Sequence, residues 1–416
     1  MYELAINGGK PVLPKQKLKL RYNVKNYNKI LSDYIKHNPI SISDREGVYA
    51  ELEDRFAEFA GVKFALSTNS GTSAIHSALF AVGVKWGDEI IVPTLSYHST
   101  VTPLFQIGAK PILCDSESNT GNIDPNSLID CITRKTKAIV VTHLFGHPVN
   151  ISKITKIAKE FGLNLIEDCS HAYNALYKNK KVGTFGDVAC FSFQSKKAVR
   201  GGEGGILVTS DKDIYYRATL LGHARRRILS TVRKDWALKF EMGLGFNYKI
   251  HPLAAVIAIE DMKRLPKFIR NKKKNLKYFN KQLNKMNING VKPLFIDRDC
   301  ELGASHCYSI KIDQDGLKSI GKETYLRILS AENLNVDNIS IQPLHKKAIF
   351  KLPMKNYFKD FIGPKFFDSK PKYKKGDFLV SEEYFNNHFL ISGDVFDSKY
   401  LLDKHLEGFQ KVDKQI

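Results

Sequence analysis

From residue 64 to about 222 the chain alternates short apolar runs with segments whose apolar positions recur three and four apart. The short runs 64–68, 89–92, 110–114, 138–142, 164–167 and 188–193 end at polar or glycine-containing turns and predict strands. The segments 73–82, 97–107 and 151–161 predict helices between them. Alternating strands and helices imply parallel neighbours, because each connection crosses the sheet and covers one of its faces. The predicted class is therefore α/β, with a mainly parallel central sheet and helices on both faces. In such sheets a ligand sits beyond the carboxyl ends of the strands.

Ahead of this region Val48, Leu52, Phe56 and Phe59 share a helical face, which predicts a helix from about 46 to 59 that Gly61 stops. Residues 1–45 show little periodicity and read as an N-terminal arm. Residues 253–283 carry Leu253, Ile257 and Ile259 in a helical run with Pro266 as an expected kink. A chain of 416 residues exceeds the ~250–300 at which single cores stop growing. The expected division is the arm (1–45), a large α/β domain (46–252), a bridging helix (253–289) and a smaller C-terminal α/β domain (290–416). In the last, 306–312 predicts a strand and 322–332 a helix. Segment 345–378, rich in proline, glycine, lysine and aromatics, shows no regular pattern.

Composition narrows the class: 43% hydrophobic and 26% charged residues describe a globular protein. No apolar run approaches the roughly 20 residues of a membrane span, and Met1 to Asn7 lacks the basic start and apolar core of an export signal. The six cysteines include no Cys-x-x-Cys pair and several lie in apolar runs, so reduced thiols and a cytoplasmic location are expected. A net charge of +21 raises nucleic-acid binding, for which Lys355, Tyr357, Lys359, Tyr373 and Lys374 interleave basic and aromatic side chains. Lysines also populate 15–36, 178–181 and 263–285, the pattern of solvated faces, so no nucleic-acid partner is expected. The same field would attract an anionic substrate.

Four stretches carry candidate chemistry. Asn69-Ser70-Gly71-Thr72-Ser73-Ala74 opens a helix, where free N–H groups, Gly71 and the Thr72 hydroxyl can cradle a phosphate or simply cap the helix. Pro93-Thr94-Leu95-Ser96-Tyr97 sets an aromatic at the sheet's carboxyl edge, either to stack on a flat ring or to fill the core. In Leu165-Ile166-Glu167-Asp168-Cys169-Ser170-His171 a strand delivers Asp168 to its end, where it can hold a pyridinium nitrogen or cap a turn. His143, His147 and His171 lack a spaced cysteine or carboxylate set, so no metal is expected. Between strand 188–193 and the glycine turn 201–205 stand Lys196 and Lys197. A desolvated lysine at a strand end can attack an aldehyde; the alternative is a basic surface hairpin.

Phosphate turn, aromatic, aspartate and lysine in this order resemble the DegT/StrS sugar aminotransferases, pyridoxal-phosphate enzymes of fold type I. The resemblance runs from about Glu46 to Lys263 and is strongest at 69–74, 93–97, 167–172, 186–193 and 202–205; residues 4–12 resemble an N-terminal signature of part of the family. It implies Lys197 as the lysine that carries pyridoxal 5'-phosphate as a Schiff base. It also implies Asp168 at the pyridine nitrogen, His171 by the ring hydroxyl, Tyr97 stacked on the ring, and Gly71, Thr72 and Ser192 at the phosphate. Asn247, in Gly245-Phe246-Asn247-Tyr248-Lys249, matches an asparagine that the partner subunit lends to the phosphate site, so a homodimer with shared sites is implied.

The implied reaction moves an amino group from an amino acid, glutamate or glutamine, to a keto-sugar, nucleotide-linked, in amino-sugar biosynthesis. Keto-cyclitols are the alternative acceptors. The dehydratase branch characteristically replaces the lysine by histidine, and a regulator built on the fold need not keep Asp168, Ser192 and Lys197 together. Gln194, Arg200 and Ile250-His251-Pro252 depart from common family residues and bear on the acceptor, as does Pro343-Leu344-His345, which sits where the family approaches its substrate.

Overall fold

The computed structural model describes residues 3–15, 24–317, 320–351, 373–374 and 376–416. Most of the basic aromatic segment 345–378, including Lys355, Tyr357 and Lys359, lies outside the described residues. The first nine strands are β1 (Phe64–Thr68), β2 (Glu89–Pro93), β3 (Lys110–Cys114), β4 (Thr136–Thr142), β5 (Asn164–Asp168), β6 (Leu176–Tyr177), β7 (Lys180–Lys181), β8 (Val188–Ser192) and β9 (Gly205–Thr209). Seven of them form one sheet in the order β1-β9-β8-β5-β4-β2-β3. β3, β2, β4, β5 and β8 run parallel, while β9 is antiparallel to both its neighbours. The predicted α/β class with a mainly parallel sheet is the class observed.

Each strand of this sheet is apolar on both faces. On β8, Val188 and Cys190 join one core with the helix Gly71–Ala81, and Ala189 and Phe191 join the other with the helix Gly47–Ala60. Phe56, fully buried on the latter helix, meets the rings of Phe191 and Phe193 edge-on at 5.0 and 5.5 Å. This packing seats the end of β8 that leads to the lysines, and truncating such a ring to alanine costs about 3–5 kcal/mol.

A second sheet is antiparallel and smaller. Distinct from a minor sheet in which β10 (Cys300–Glu301) joins β6 and β7 in the order β10-β6-β7, it consists of β11 (Cys307–Lys311), β12 (Val336–Asn338) and β13 (His388–Ser392) in the order β11-β13-β12. Its core takes in the helices Gly321–Ala331 and Lys399–Asp413. One helix, Pro252–Met286, runs through Pro266 and serves both cores: Ala255, Val256 and Ile259 pack below the large sheet, Leu276, Phe279 and Leu283 on the small one.

Two segments differ from their predicted forms. Residues 97–107 are not one helix but a 3-10 turn, His98–Thr100, followed by the helix Thr102–Ile107. Pro103 in its first turn has no N–H to extend a helix backwards. The arm holds a helix, Val24–His37, whose Ile30, Leu31 and Tyr34 pack on the core beneath the sheet.

Candidate active site

Strand register assembles the site. Gly205 at the start of β9 pairs with Thr68 on one side and Ser192 on the other, so the turn after β1 and the end of β8 meet across a residue without a side chain. A Cβ on Gly205 would lie 2.4 Å from the Ser70 carbonyl oxygen, and one on Gly71 would lie 2.9 Å from Ser192 Cβ. Only glycine permits this approach. Ser70 caps the helix Gly71–Ala81 by accepting from Ser73 N–H, while the N–H groups of Gly71 and Thr72 point out of its first turn without an intrahelical partner. The Thr72 and Ser192 side chains are half-buried beside them. These two N–H groups and two hydroxyls form a donor set that fits a phosphate.

Asp168 ends β5, opposite Thr142 on β4 and Cys190 on β8. Buried, it accepts from Ser170 N–H at 3.1 Å on Oδ1 and from the Thr100 hydroxyl at 2.9 Å on Oδ2. Its neighbour Glu167 faces the opposite side, accepting from the N–H groups of Gly183, Phe185 and Gly186 and from His143 Nε2. Burial alone would raise Glu167, but His143 and these N–H groups outweigh it and hold the carboxyl below its ordinary range. Glu167, His143 and Cys169 form a buried cluster of metal-ligating types. There His143 Nδ1 accepts from Val149 N–H and Nε2 carries the proton to Glu167, so the imidazole has no free lone pair for an ion.

His171 is buried and lies parallel to Phe145, ring centroids 6.1 Å apart, with His306 edge-on at 4.6 Å. Its Nδ1 accepts from Phe145 N–H at 3.4 Å, which puts the ring proton on Nε2 as a donor. Burial, with the charge of Lys197, lowers its pKa well below the ordinary value and keeps the ring neutral.

β8 ends at Ser192, and Lys197 lies beyond it in a turn rather than at the strand end, its N–H donating to the Gln194 carbonyl. Lys197 is half-buried and Lys196 exposed. Burial pulls the Lys197 amine down from 10.5 to about 8, against an opposing pull from Asp168. Cys307 on β11 is near enough to sense that amine, yet burial pushes its thiol up to about 12.

Asp168, His171 and Lys197 are therefore brought together beside the Gly71, Thr72 and Ser192 cradle. Tyr97 is 54% exposed, tied to the site through Thr100, whose N–H donates to the Tyr97 carbonyl. Asn247 has an exposed side chain, and its carbonyl accepts from Asn69 Nδ2 of the same chain at 3.3 Å. Arg200 is held by Asp261 on the long helix, Nε to Oδ2 at 2.6 Å, and Asp261 also accepts from Tyr27 of the arm. His345 is buried against Glu382 at 3.0 Å, beside the Leu344 N–H that donates to Thr94 at the edge of β2. Two nearby clefts of about 380 and 580 Å³, both lined by His147 and Phe295, do not include Lys197. Among the described residues no helix is long and apolar enough to cross a membrane.

Sequence reasoning missed the hydroxyls of Ser96, Thr100 and Thr142 around Asp168, and the contribution of His306 and Cys307 from the small sheet. No local spacing marks them, since tertiary packing alone brings them to the site.

An α/β body with helices on both faces of its sheet, an acid and a phosphate-fitting donor set at the strand ends and a lysine in the turn beyond β8 defines a class of fold, and solved structures share it. An aminotransferase from Psychrobacter cryohalolentis superposes with a TM-score of 0.83 at 21% identity, covering 96% of this chain and 99% of that one. 3-Amino-5-hydroxybenzoic acid synthase gives 0.80 at 20% identity, with 96% and 99% covered. The sequence profile of the DegT/DnrJ/EryC1/StrS aminotransferase family matches residues 40–388, and the chain belongs to that family. GDP-perosamine synthase of Escherichia coli O157:H7 is 37% identical over 59% of this chain, and the match spans 65% of that relative's length. A putative L-glutamine:3-amino-2,3-dideoxy-scyllo-inosose aminotransferase of Micromonospora echinospora is 27% identical over 73% of this chain and 72% of that relative.

Proposed function

We propose that this protein is a pyridoxal-phosphate-dependent aminotransferase that moves an amino group from an amino acid, glutamate or glutamine, to a keto-sugar carried on a nucleotide, in amino-sugar biosynthesis. The observation that carries the reading is Lys197: an amine lowered to about 8 beside a buried acid, a neutral histidine and a phosphate cradle. The donor set fits the cofactor. Gly71 and Thr72 N–H groups with the Thr72 and Ser192 hydroxyls would hold its phosphate, Asp168 its ring nitrogen and His171 Nε2–H its ring oxygen, while Tyr97 would cover one ring face. Bound there, pyridoxal phosphate would supply an electron sink when the amine-bearing carbon loses its proton.

The chain's own part is to hold and move protons. Lys197, with an amine pKa near working pH, would take the proton from that carbon as base and, as acid, deliver it to the cofactor's exocyclic carbon. Asp168 would set its carboxylate against the ring nitrogen. Its burial removes the water that would weaken this interaction. The named relatives support both a nucleotide-linked sugar and a cyclitol as acceptor classes; the identity to GDP-perosamine synthase favours the former. Lys197 itself disfavours the dehydratase branch.

The same reading includes a cytoplasmic location, supported by six unpaired thiols, and the division into arm, large domain (46–252), bridging helix (253–289) and small domain, supported by two cores that share one helix. It also includes a homodimer, supported by the exposed Leu238, Met242, Leu244 and Phe246 around Asn247. The test is to load the protein with pyridoxal phosphate, convert it with glutamate or glutamine, and offer keto-sugar nucleotides and keto-cyclitols. Return of the original cofactor absorbance identifies the acceptor. Absence of any cofactor absorbance, or of donor turnover, would overturn the reading.

A further inference from the structure

Asp168 is the end of a chain of side-chain hydroxyls. Thr100 Oγ1 lies 2.9 Å from Asp168 Oδ2, Ser96 Oγ lies 2.7 Å from Thr100 Oγ1, and Thr142 Oγ1 lies 2.9 Å from Ser96 Oγ. All four side chains are buried, at 5% exposure or less. The direction of the chain follows from counting protons. A carboxylate only accepts, so the single Thr100 proton goes to Asp168. Thr100 must then accept from Ser96, which spends its only proton there and must in turn accept from Thr142. Three O–H dipoles therefore point one way, each polarising the next, toward the carboxylate.

Resting on the aminotransferase reading, we propose that Thr100 is a positioning residue of the reaction: with Ser96 and Thr142 behind it, it fixes the plane of the Asp168 carboxylate against the cofactor's ring nitrogen. The backbone cannot do this alone. Ser170 N–H restrains only Oδ1, at 3.1 Å, and a carboxylate held at one oxygen can rotate about its χ2 axis. Thr100 restrains Oδ2 and leaves the carboxylate's remaining lone pairs for the ring. The three hydroxyls come from the turn after β2 and from the end of β4, so two strand ends converge on the third. Thr100 also hydrogen-bonds to the Tyr97 carbonyl, which couples the carboxylate to the segment bearing the exposed ring.

The test compares Thr100→Val, Thr100→Ser and Ser96→Ala in the cofactor-loaded protein. Thr100→Val keeps the shape and loses the donor. It is expected to lower kcat of the donor half-reaction about tenfold to a hundredfold, the loss that follows a missing hydrogen bond to a charged group, with KM changed by less than about threefold. The visible circular dichroism of the bound cofactor, which reports ring orientation, should change in Thr100→Val and return in Thr100→Ser. Ser96→Ala, one link removed, should show the same change in smaller amplitude. A Thr100→Val protein with wild-type kcat and dichroism overturns the proposal while leaving the aminotransferase reading intact. So does a Thr100→Ser protein as impaired as Thr100→Val. Should Thr100→Val fail to fold, Ser96→Ala decides alone: wild-type kcat and dichroism overturn the proposal, and a reduced kcat with altered dichroism supports it. A wild-type protein that binds no pyridoxal phosphate overturns both readings.

Discussion

Replacing Lys197 by methionine leaves an unbranched side chain one atom shorter and removes its charge, which isolates the cost of holding an amine in this site. The amine falls from 10.5 to about 8 on folding, and burial is the first cause. A fall of about two and a half pH units at about 1.4 kcal/mol each amounts to roughly 3 kcal/mol. Below pH 8 the amine is protonated in both folded and unfolded chains, so the folded chain bears the full cost. Between about 8 and 10.5 the unfolded chain binds more protons, so native stability rises with pH; above 10.5 the cost is gone. Lys197→Met lacks this dependence. Compared by urea denaturation without cofactor, the variant should exceed wild type by up to about 3 kcal/mol at pH 7 and by about 1.4 kcal/mol at pH 9.5. A variant no more stable than wild type at pH 7, or one whose advantage stays level with pH, would refute the argument. The same variant should have no aminotransferase activity, separating stability from function as expected for a site strained toward its chemistry.

Asp168 raises the Lys197 amine, so Asp168→Asn should shift that amine's titration below about 8, read from the pH dependence of its acylation by trinitrobenzenesulfonate. Gly71→Ala would put a Cβ 2.9 Å from Ser192 Cβ, and equilibrium binding should show pyridoxal phosphate affinity reduced at least about tenfold, as the cradle opens. Asp261→Asn leaves the Arg200 guanidinium, 13% exposed, without its carboxylate and should cost about 3 kcal/mol in thermal or chemical unfolding while sparing turnover per folded molecule.

Six of the seven strands of the large sheet were legible as short apolar runs closed by turn residues, and 64–68 and 110–114 match β1 and β3 residue for residue; β9 was not, because its run opens inside the glycine turn 201–205. What periodicity could not supply was direction. β9 turns antiparallel because residues 193–204 form no helix to cross the sheet and fold back instead, Phe193 N–H donating to the Gly204 carbonyl, and this reversal places Gly205 between Ser192 and Thr68. The helix Val24–His37 had a signal in Tyr27, Ile30, Leu31 and Tyr34, diluted by the lysines and asparagines between them. At the site, residues that bear a motif were named from sequence, whereas those that act through them were not. Ser96 and Thr142 lie 46 positions apart, and no short-range pattern links them. Arg200 read as a departure bearing on the acceptor; its partner Asp261 is 61 positions away, and only the packing of the long helix shows the pair.

Asn247 presents two geometries that one experiment separates. In a single chain its carbonyl meets Asn69 Nδ2 at 3.3 Å, and Asn69 N–H donates to the Tyr248 carbonyl at 2.7 Å, so main-chain contacts bind this segment to its own phosphate turn. The Asn247 side chain remains exposed amid Leu244 and Phe246, as an interface residue would be in an isolated subunit. If that side chain completes the partner's phosphate site, mixing Lys197→Ala with Asn247→Ala chains creates one site with both residues intact and one with neither. Activity after co-refolding should then exceed the mean of the two parent homodimers, since Lys197→Ala is inactive and Asn247→Ala has lost a hydrogen bond to an anion worth on the order of 1.5–3 kcal/mol. If Asn247 instead serves its own chain, every site in the mixture carries one lesion, and activity stays at the mean. Size-exclusion chromatography of each parent must show the same oligomer, because a lesion that prevented assembly would imitate the second result. Equal assembly with no gain on mixing would assign Asn247 to its own chain's site.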